Sequence, residues 1–408
     1  MDTAEAAGAA ERFVEPSGDE PAGLAIYTRS PSPYERWMAA EGIPVFRGIG
    51  VRDTRELELG HWARRNARGS FLHLRGIEGV KGLYVIEVPP GEATRPEKHV
   101  YDEFFLVIEG RGSTEVWRGD GPKRVFEWQP GTLFMIPINA SYRLVNATGS
   151  RALLLSANNA PPVMNIFQSP EFLFDNDWTF AERGVVDDDF FSPNVELERD
   201  PVRKRAAIRS NVFPDIVNCE LPLDNQRAPG YRRIQPMFKG FISDVTSGGF
   251  VAQYPSGRYS KAHFHQSGAV LVCLRGEGYT FNWPTRLGPT PWADGLGDQV
   301  NRIDYVPGGL VAAAPGGGDW FHQHFGSGRE PLRILNYWGG PSGRWGSTGD
   351  VGDDKVKAGN LFGISEGGRT ILYHQEDPFV RNYFRQRLAA AGLEMTMPES
   401  AFLPPAPR

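Results

Sequence analysis

Short hydrophobic runs separated by Gly, Pro and Asp turns fill most of the chain beyond Phe71. In the first half these runs are FLHLRG, GLYVIEV, EFFLVIEG, STEVW, GTLFMIPI, YRLVN and RALLLSA. Apolar runs of about four to eight residues between turn signals are typical of buried β-strands. A second strand-rich region follows at about 230–372, so the pattern predicts an all-β fold.

Short helical patterns flank these regions. They run from Tyr34 to Met38 and from Asp53 to Arg65. The tail segment DPFVRNYFRQRLAAAG begins with Asp377 followed by Pro and ends at Gly392, which are the start and stop signals of a capped helix. We therefore expect short helices before and after the β-rich regions.

These patterns divide the chain into six segments. The first is rich in Ala, Glu and Gly and offers little apolar surface to bury, so it is predicted to be disordered. The six segments are a disordered arm (1–22), a short helical segment (23–64), an N-terminal β-domain (65–160), a linker with connecting loops (161–229), a C-terminal β-domain (230–372) and a C-terminal helix with its tail (373–408).

Composition limits the classes of binding partner and the cellular location that we expect. The chain has 44 basic and 49 acidic side chains, a net charge of −5 and no concentrated basic stripe, which disfavours nucleic acid as a partner. No run of about 18 apolar residues is present, so no membrane span is predicted, and the acidic N-terminus does not resemble a secretory signal. Two cysteines are too few for a disulfide framework, and a cytoplasmic location is expected.

A repeated spacing of Gly and His residues indicates an internal duplication. An interval of 166 residues relates Gly91, His99, Gly110 and Gly112 to Gly257, His265, Gly276 and Gly278. A second shared element lies downstream, with Pro130, Gly131 and Pro137 in the first half and Pro307, Gly308 and Pro315 in the second. The two β-rich regions are therefore predicted to share one architecture.

This pair of blocks resembles the two motifs of the cupin superfamily, whose members are small β-barrels that hold a metal inside. The resemblance covers both halves, so the chain is similar to a bicupin. It implies two tandem cupin barrels of the double-stranded β-helix, or jelly-roll, type with short flanking helices. A homo-oligomer is also expected.

Three histidines of the second half are candidate metal ligands. His263 and His265 stand two positions apart on a predicted strand, so their side chains point to the same face. The cupin resemblance adds His322, in PGGGDWFHQHFG, as the third ligand of a facial triad. Half of the eight histidines of the protein lie between residues 263 and 324, which favours metal binding there.

No carboxylate accompanies these histidines. Many cupins add a Glu four or five positions beyond the second His, where this chain has Ala269 and Val270. An all-His triad leaves the charge of a divalent metal uncompensated by the protein, which favours an anionic, chelating substrate. The segment HFHQSGAVLVCLRGEGYT, together with WFHQHFG, resembles the corresponding motifs of the gentisate and salicylate dioxygenases. This resemblance implies Fe(II), with Mn(II), Ni(II) and Zn(II) as alternatives.

Four further residues near this motif are candidate catalytic or substrate-binding groups. His324, two residues after His322, is predicted to act as an acid/base, the alternative being a surface or supporting His. Gln266 and Trp320 flank the motif and are candidates for substrate contacts. Arg258, on the turn entering the metal strand, is the candidate for binding a carboxylate, since a guanidinium gives bidentate contacts.

The first half lacks most of this ligand set. Glu97 and Tyr142 take the places of the first and last metal His, and only His99 and Glu103 remain of the usual ligands. These four side chains are candidates for binding a hard metal. A metal-free barrel retained for packing or dimerisation is the favoured interpretation.

The resemblance implies an Fe(II)-dependent dioxygenase that uses O2 to cleave a small oxygen-rich substrate, such as a hydroxylated aromatic acid. A metal-dependent isomerase, lyase or hydrolase that acts on an enol or keto acid is the first alternative. A non-catalytic binding bicupin is the second, and it is disfavoured because four histidines would have little structural purpose in an empty barrel. The expected partner is in each case a small anionic molecule.

Overall fold

The computed structural model of this chain describes residues 30–183, 189–199, 206–238, 249–265, 268–315, 319–338 and 362–404. Strands dominate these residues. The α-helices are α1 (Pro33–Ala40), α2 (Ala160–Phe167), α3 (Pro170–Phe174) and α4 (Pro378–Ala390). Short 3₁₀ turns occur at Thr54–Glu56, Ala181–Arg183, Thr285–Leu287, Gly297–Gln299, Ile364–Glu366 and Glu399–Phe402. None of the described helices combines the length and the apolar character needed to cross a membrane.

The strands fall into two groups along the chain. The first group is β1 (Val45–Gly48), β2 (Gly50–Val51), β3 (Gly60–Trp62), β4 (Ala67–Leu74), β5 (Gly82–Val88), β6 (Glu103–Glu109), β7 (Gly112–Trp117), β8 (Arg124–Trp128), β9 (Leu133–Ile136), β10 (Ser141–Val145) and β11 (Ala152–Asn158). The second group is β12 (Glu198–Arg199), β13 (Ala206–Arg209), β14 (Val212–Phe213), β15 (Arg232–Met237), β16 (Gly249–Tyr254), β17 (Arg258–Tyr259), β18 (Ala262–His263), β19 (Ala269–Arg275), β20 (Gly278–Pro284), β21 (Asn301–Tyr305), β22 (Leu310–Ala312), β23 (Trp320–Gly326), β24 (Leu332–Trp338) and β25 (Thr370–Ile371).

Each half of the chain builds a jelly-roll barrel from two sheets, which confirms the predicted all-β fold. The N-terminal barrel has one sheet in the order β1-β4-β5-β11-β6-β9-β14, with β3 on β4, and a second in the order β10-β7-β8. The C-terminal barrel has one sheet in the order β12-β13-β15-β16-β24-β19-β22-β2 and a second in the order β21-β20-β23-β18-β25, with β17 on β23.

The two barrels exchange short strands and pack face to face. β2 precedes the N-terminal barrel but pairs with β22 of the C-terminal barrel, and β14 follows the N-terminal barrel but pairs with β9 within it. The large sheets share one apolar cluster, in which the ring of Phe104 stacks on that of Phe238 at 4.6 Å and lies 6.3 Å from that of Tyr337. Burial of this shared face stabilises the pair of barrels as one unit.

Two segments differ from their predictions. Residues 53–65 were expected to be helical, but they hold only the 3₁₀ turn Thr54–Glu56 and then strand β3, which pairs with β4. In β3 the exposed His61 alternates with the buried Trp62, as in a strand. This alternation is too short to outweigh the helical pattern of the surrounding sequence. The linker predicted over 161–229 begins with helices α2 and α3, because a Pro in the first turn starts a helix as readily as it interrupts one.

Helix α4 begins and ends as its capping residues predict. Asp377 is the N-cap, and its Oδ1 accepts a hydrogen bond from the N–H of Phe379 at 2.9 Å. Its Oδ2 accepts from the N–H groups of Trp292 and Ala293, both at 2.8 Å. One buried carboxylate therefore fixes the start of α4 against the loop between β20 and β21.

Glu376 joins the segment before α4 to the outer face of the C-terminal barrel. Its Oε1 accepts from the hydroxyl of Tyr259 at 2.5 Å, and its Oε2 accepts from Nε2 of Gln323 on β23 at 3.3 Å. Burial raises the pKa of Glu376 to about 7, although the hydrogen bond from Tyr259 and the charge of Arg381 lower it. A neutral, protonated carboxyl is thus favoured at this position.

We expect Glu376→Gln to alter the pH dependence of stability. Because the folded-state pKa of about 7 exceeds the ordinary glutamate value of 4.5, the stabilising contribution of this group is complete below about pH 4.5 and is lost as the pH rises through 7. Between about pH 5 and pH 8 the free energy of unfolding of the wild type should fall by up to about 3 kcal/mol, whereas that of the variant should not. Melting temperatures across this range measure the difference.

The matched control is Glu394→Gln, which neutralises an exposed carboxylate of the same C-terminal segment. It should follow the wild-type curve. A Glu376→Gln curve that runs parallel to the wild type would show that Glu376 is already ionised in the folded state at acidic pH.

Candidate metal centre

Alternation along β20 and β23 separates an outer face from an inner face. Phe321 and Phe325 of β23 pack with Tyr279 of β20 in an aromatic cluster that α4 covers. The alternate residues of β23, at positions 322 and 324, point to the opposite side, because neighbouring side chains of a strand alternate between its two faces. His322 and His324 of β23 therefore lie inside the barrel, where both are buried.

Antiparallel pairing brings three histidines together. His263 of β18 lies directly opposite His322 of β23, and their ring centroids are 4.2 Å apart. The ring centroid of His265, just after β18, is 4.8 Å from that of His322. One ligand nitrogen from each of these residues, hereafter the histidine triad, lies within 4.8 Å of the others. His324 is outside this group, with its ring centroid 5.5 Å from that of His322.

The chemistry of this donor set fits a divalent metal. Burial lowers the pKa of both His263 and His322 well below the ordinary value, and nearby positive charge, including that of Arg227, lowers both further. Neutral imidazole is the form that binds a metal. Nδ1 of His263 lies 3.4 Å from the carbonyl oxygen of Lys261, and Nδ1 of His322 lies 3.3 Å from that of Trp320. These contacts orient each ring and leave its Nε2 for a metal.

His324 is fixed one pleat beyond His322. Its backbone N–H donates to Oγ of Ser260 at 2.9 Å, and its Nδ1 lies 3.0 Å from the hydroxyl of Tyr305. Burial lowers the pKa of His324 to about 3, with the charge of Arg227 as a second cause. The ring is therefore neutral, and an anion bound beside it would raise its pKa.

Arg258 does not reach the histidine triad. It lies opposite Gly326, four residues along β23 from His322, which corresponds to about 13 Å at a strand rise near 3.3 Å per residue. Its Nε donates to Oγ1 of Thr396 at 3.3 Å, so the guanidinium contacts the C-terminal segment. The geometry gives no support to Arg258 as the carboxylate-binding residue of this site.

The other two predicted substrate contacts are Trp320 and Gln266. Trp320 begins β23 and lies on the same strand face as His322, half-buried. Its ring is therefore placed on the triad side of the strand. Gln266 lies outside the described residues. Both assignments stay predictions.

Arg227 is a basic residue near the site that the sequence analysis did not identify. Its carbonyl oxygen accepts from the N–H of Lys261 at 3.0 Å, two residues before His263. Its positive charge contributes to the lowered pKa values of His263, His322 and His324. It lies in the loop between β14 and β15, outside every motif and strand pattern, so no sequence signal marks it.

A hydrogen-bond network fills the corresponding position of the N-terminal barrel. At its centre Oε2 of Glu103 lies 2.9 Å from Nε2 of His99 and accepts from the hydroxyl of Tyr142 at 2.6 Å. Oε1 accepts from the hydroxyls of Tyr84 and Ser156, both at 2.6 Å. Burial by itself would raise the pKa of Glu103. The charge of His99 and its hydrogen bond are the largest of the opposing effects, and the net result is a pKa lowered to about 2.

Arginine supplies further positive charge in this network. Nε of the buried Arg65 lies 3.2 Å from Oε2 of Glu97, and its Nη2 donates to the hydroxyl of Tyr142 at 3.2 Å. Glu97 also accepts from Nη1 of Arg64 at 2.7 Å. Within the described part of the chain, the histidine triad is the single group of three or more potential ligands close enough to share a metal. The carboxylates of Glu97 and Glu103 are thus paired with donors from the protein, and the metal-free N-terminal barrel stays a prediction.

A family model matches the strands of the N-terminal barrel. Residues 84–158 match the family model of the cupin domain. Among solved structures, a mutant of oxalate decarboxylase from Bacillus subtilis is 11% identical with a TM-score of 0.43, over 72% of this chain and 78% of that one. The formate complex of oxalate decarboxylase from Lactobacillus farciminis is 10% identical with a TM-score of 0.43, over 74% and 90%.

Vicilin from Corylus avellana (hazelnut) is 13% identical with a TM-score of 0.44, over 71% of this chain and 86% of that one. No curated protein matches the sequence. Structural similarities this low do not bear on the activity of the chain. The chemistry of the site has to be argued from its own residues.

Replacing His322 and His324 separately should distinguish a ligand from a neighbour. His322→Ala is expected to lose the metal, because two remaining imidazoles compete poorly with water for a divalent ion. His324→Ala should retain about one metal per chain, because His324 lies outside the triad. Metal content of anaerobically purified protein measures both. The reverse result would assign the third ligand to His324.

A third variant tests the N-terminal barrel. His99→Gln should leave the metal content unchanged, because hydroxyl donors and Arg65 already surround Glu103 and Glu97. Elemental analysis of the variant, with circular dichroism as the folding control, provides the measurement. Loss of one metal equivalent per chain would contradict a metal-free N-terminal barrel.

Proposed function

We propose that this chain, a two-barrel cupin whose cupin domain at residues 84–158 is repeated in its C-terminal half, is an enzyme that holds a divalent metal at the histidine triad. Its substrate is a small anion. The observation that carries the proposal is the convergence of three imidazoles in the C-terminal barrel, with the pKa values of His263 and His322 lowered well below the ordinary value.

The charge around the triad favours an anionic substrate. The three ligands are neutral, so a bound divalent ion keeps its full positive charge within the barrel. Arg227 adds a further positive charge close enough to affect His263 and His322. An anion bound at the metal would offset part of this combined positive charge, and the attraction is stronger in a buried site than in water.

The reaction proposed is the O2-dependent cleavage of a hydroxylated aromatic acid. A bound Fe(II) would supply the one-electron chemistry that lets O2 react with a closed-shell organic molecule. The core of the same barrel includes the fully buried apolar side chains of Leu271, Val311 and Ile334. Mn(II), Ni(II) and Zn(II) suit the same three nitrogens, so the metal is part of the test.

His324 and Tyr305 form the proton-handling pair of the proposed site. When the Tyr305 hydroxyl donates to Nδ1 of His324, across their 3.0 Å contact, the neutral ring carries its proton on Nε2. From there Nε2 can donate a hydrogen bond to an oxygen of the substrate. In the other tautomer Nδ1 donates to the Tyr305 oxygen, and Nε2 can accept a proton from a substrate hydroxyl; the lowered pKa of His324 then favours the return of that proton to the product or to water.

The same pair favours a second candidate function. An isomerase, lyase or hydrolase acting on an enol or keto acid needs a group that moves protons beside a metal that polarises an oxygen. The buried pair of His324 and Tyr305 can supply the group that moves protons, and this role does not require O2. The two candidates therefore differ in one observable, the consumption of O2.

Metal analysis combined with an oxygen electrode tests the proposal. Anaerobically purified protein is analysed for Fe, Mn, Ni and Zn, reconstituted with each metal and screened against phenolic acids and keto acids. O2 uptake that matches substrate loss, and that depends on Fe(II), is the expected result. Substrate loss without O2 uptake would favour the second candidate, and a protein that takes up none of the metals would contradict both.

We expect His324→Ala to lose about 10²- to 10⁴-fold in turnover while it keeps the metal, the usual contribution of a positioned proton-transfer group. Tyr305→Phe is the matched variant, since it removes only the hydroxyl that contacts His324. It should show a smaller loss and a shifted pH profile of kcat. Wild-type turnover in His324→Ala would exclude the acid/base role.

A further inference from the structure

Asn282 carries a buried hydrogen-bond donor that the fold leaves unused. The residue is fully buried in β20, and its Nδ2 has no hydrogen-bond partner within the described part of the chain. A buried polar atom without a partner calls for an explanation, such as a catalytic role or a bound water or ion. The position of this amide relative to the triad therefore decides whether it can contact a ligand bound there.

Asn282 lies beside the histidine triad on the inner face of the barrel. In the antiparallel register it is directly opposite His322, which is in turn directly opposite His263. The three residues form one row across β20, β23 and β18. Directly opposed residues of antiparallel strands have Cβ atoms about 4.5–5.5 Å apart. The side chain of Asn282 is thus a nearest neighbour of a triad imidazole.

The orientation of the amide is fixed from the other side. Nδ2 of Asn301 on β21 donates to Oδ1 of Asn282 at 3.0 Å. Because β20 lies between β21 and β23, this bond directs Oδ1 toward β21. Nδ2 of the same amide is then directed away from Asn301, toward the triad side. Since Oδ1 is engaged with Asn301, Asn282 is suited to donate to a bound molecule and not to ligate a metal.

We infer that Asn282 binds the substrate: its Nδ2 donates a hydrogen bond to an oxygen of a chelating anion held at the histidine triad. The inference rests on the proposed function, because it requires a ligand at the triad. It also narrows the substrate class. The group beside Asn282 has to be a hydrogen-bond acceptor, so a carboxylate or phenolate oxygen fits and an ammonium group does not.

Binding of a chelating anion to Co(II)-loaded protein tests this inference without any need for turnover. Wild type, Asn282→Leu and Asn282→Asp are loaded with Co(II) and titrated with salicylate and with oxalate, two bidentate oxygen ligands of different size. The visible spectrum of Co(II) reports binding. The control is Tyr279→Phe, which removes a hydroxyl from the outer face of the same strand.

All four proteins should take up Co(II) equally. Asn282→Leu should weaken anion binding by about 10- to 100-fold, the loss of one hydrogen bond to a charged group. Asn282→Asp should weaken it further, since a carboxylate repels the anion. Tyr279→Phe should bind as the wild type does. If Asn282→Leu does not fold, Asn282→Asp, which has nearly the same shape, provides the comparison.

Unchanged anion affinity in both Asn282 variants would overturn the inference. Loss of Co(II) in either variant would also overturn it, because Asn282 would then be part of the metal site. A wild-type Co(II) protein that binds neither anion would overturn it together with the chelating substrate class. If Asn282 affects anion binding but no O2 is consumed with any substrate, the inference stands and the dioxygenase proposal fails.

Discussion

The register of three neighbouring strands, β18, β23 and β20, is the constraint on which the rest of the site depends. In this register one face of β23 presents His322 and His324 to the interior, and the other presents Phe321 and Phe325 to the aromatic cluster under α4. A slip of one residue would exchange histidines for phenylalanines on both faces. The burial of the aromatic face therefore also fixes the position of the imidazoles. Function and stability rest here on the same hydrogen-bonded ladder.

The two barrels use their interiors in opposite ways. In the N-terminal barrel the acceptors of Glu103 and Glu97 are bonded to hydroxyls, His99 and arginine, so positive charge from the protein balances buried carboxylates. In the C-terminal barrel His263 takes the place of Glu97 and Ala269 that of Glu103, and burial together with Arg227 lowers the pKa of both His263 and His322. The first interior pairs its carboxylates with donors from the protein. The second has the donor set of a metal site and, among the residues that the structure describes, an amide donor without a partner.

The sequence predicted features that depend on local spacing, and it missed those that depend on register. The fold follows from short apolar runs and from the interval of 166 residues between the two blocks. His263 and His265 were identifiable because residues two positions apart in an extended segment share a face, although His265 lies just after the end of β18. Arg227 and Asn282 were not, because their relation to the triad arises from strands and loops that are distant along the chain. The exchange of β2 and β14 between the barrels escaped prediction for the same reason, since two-residue strands are defined only by their partners.

The central claim is that the chain holds one metal, and that it lies in the C-terminal barrel. Anomalous diffraction from crystals of Mn(II)-reconstituted protein tests it most directly, because the signal locates the ion without assuming its ligands. The account predicts one peak per chain, within bonding distance of Nε2 of His263, His265 and His322. A peak beside His99 and Glu103, or one bound by His324 in place of His322, would contradict it.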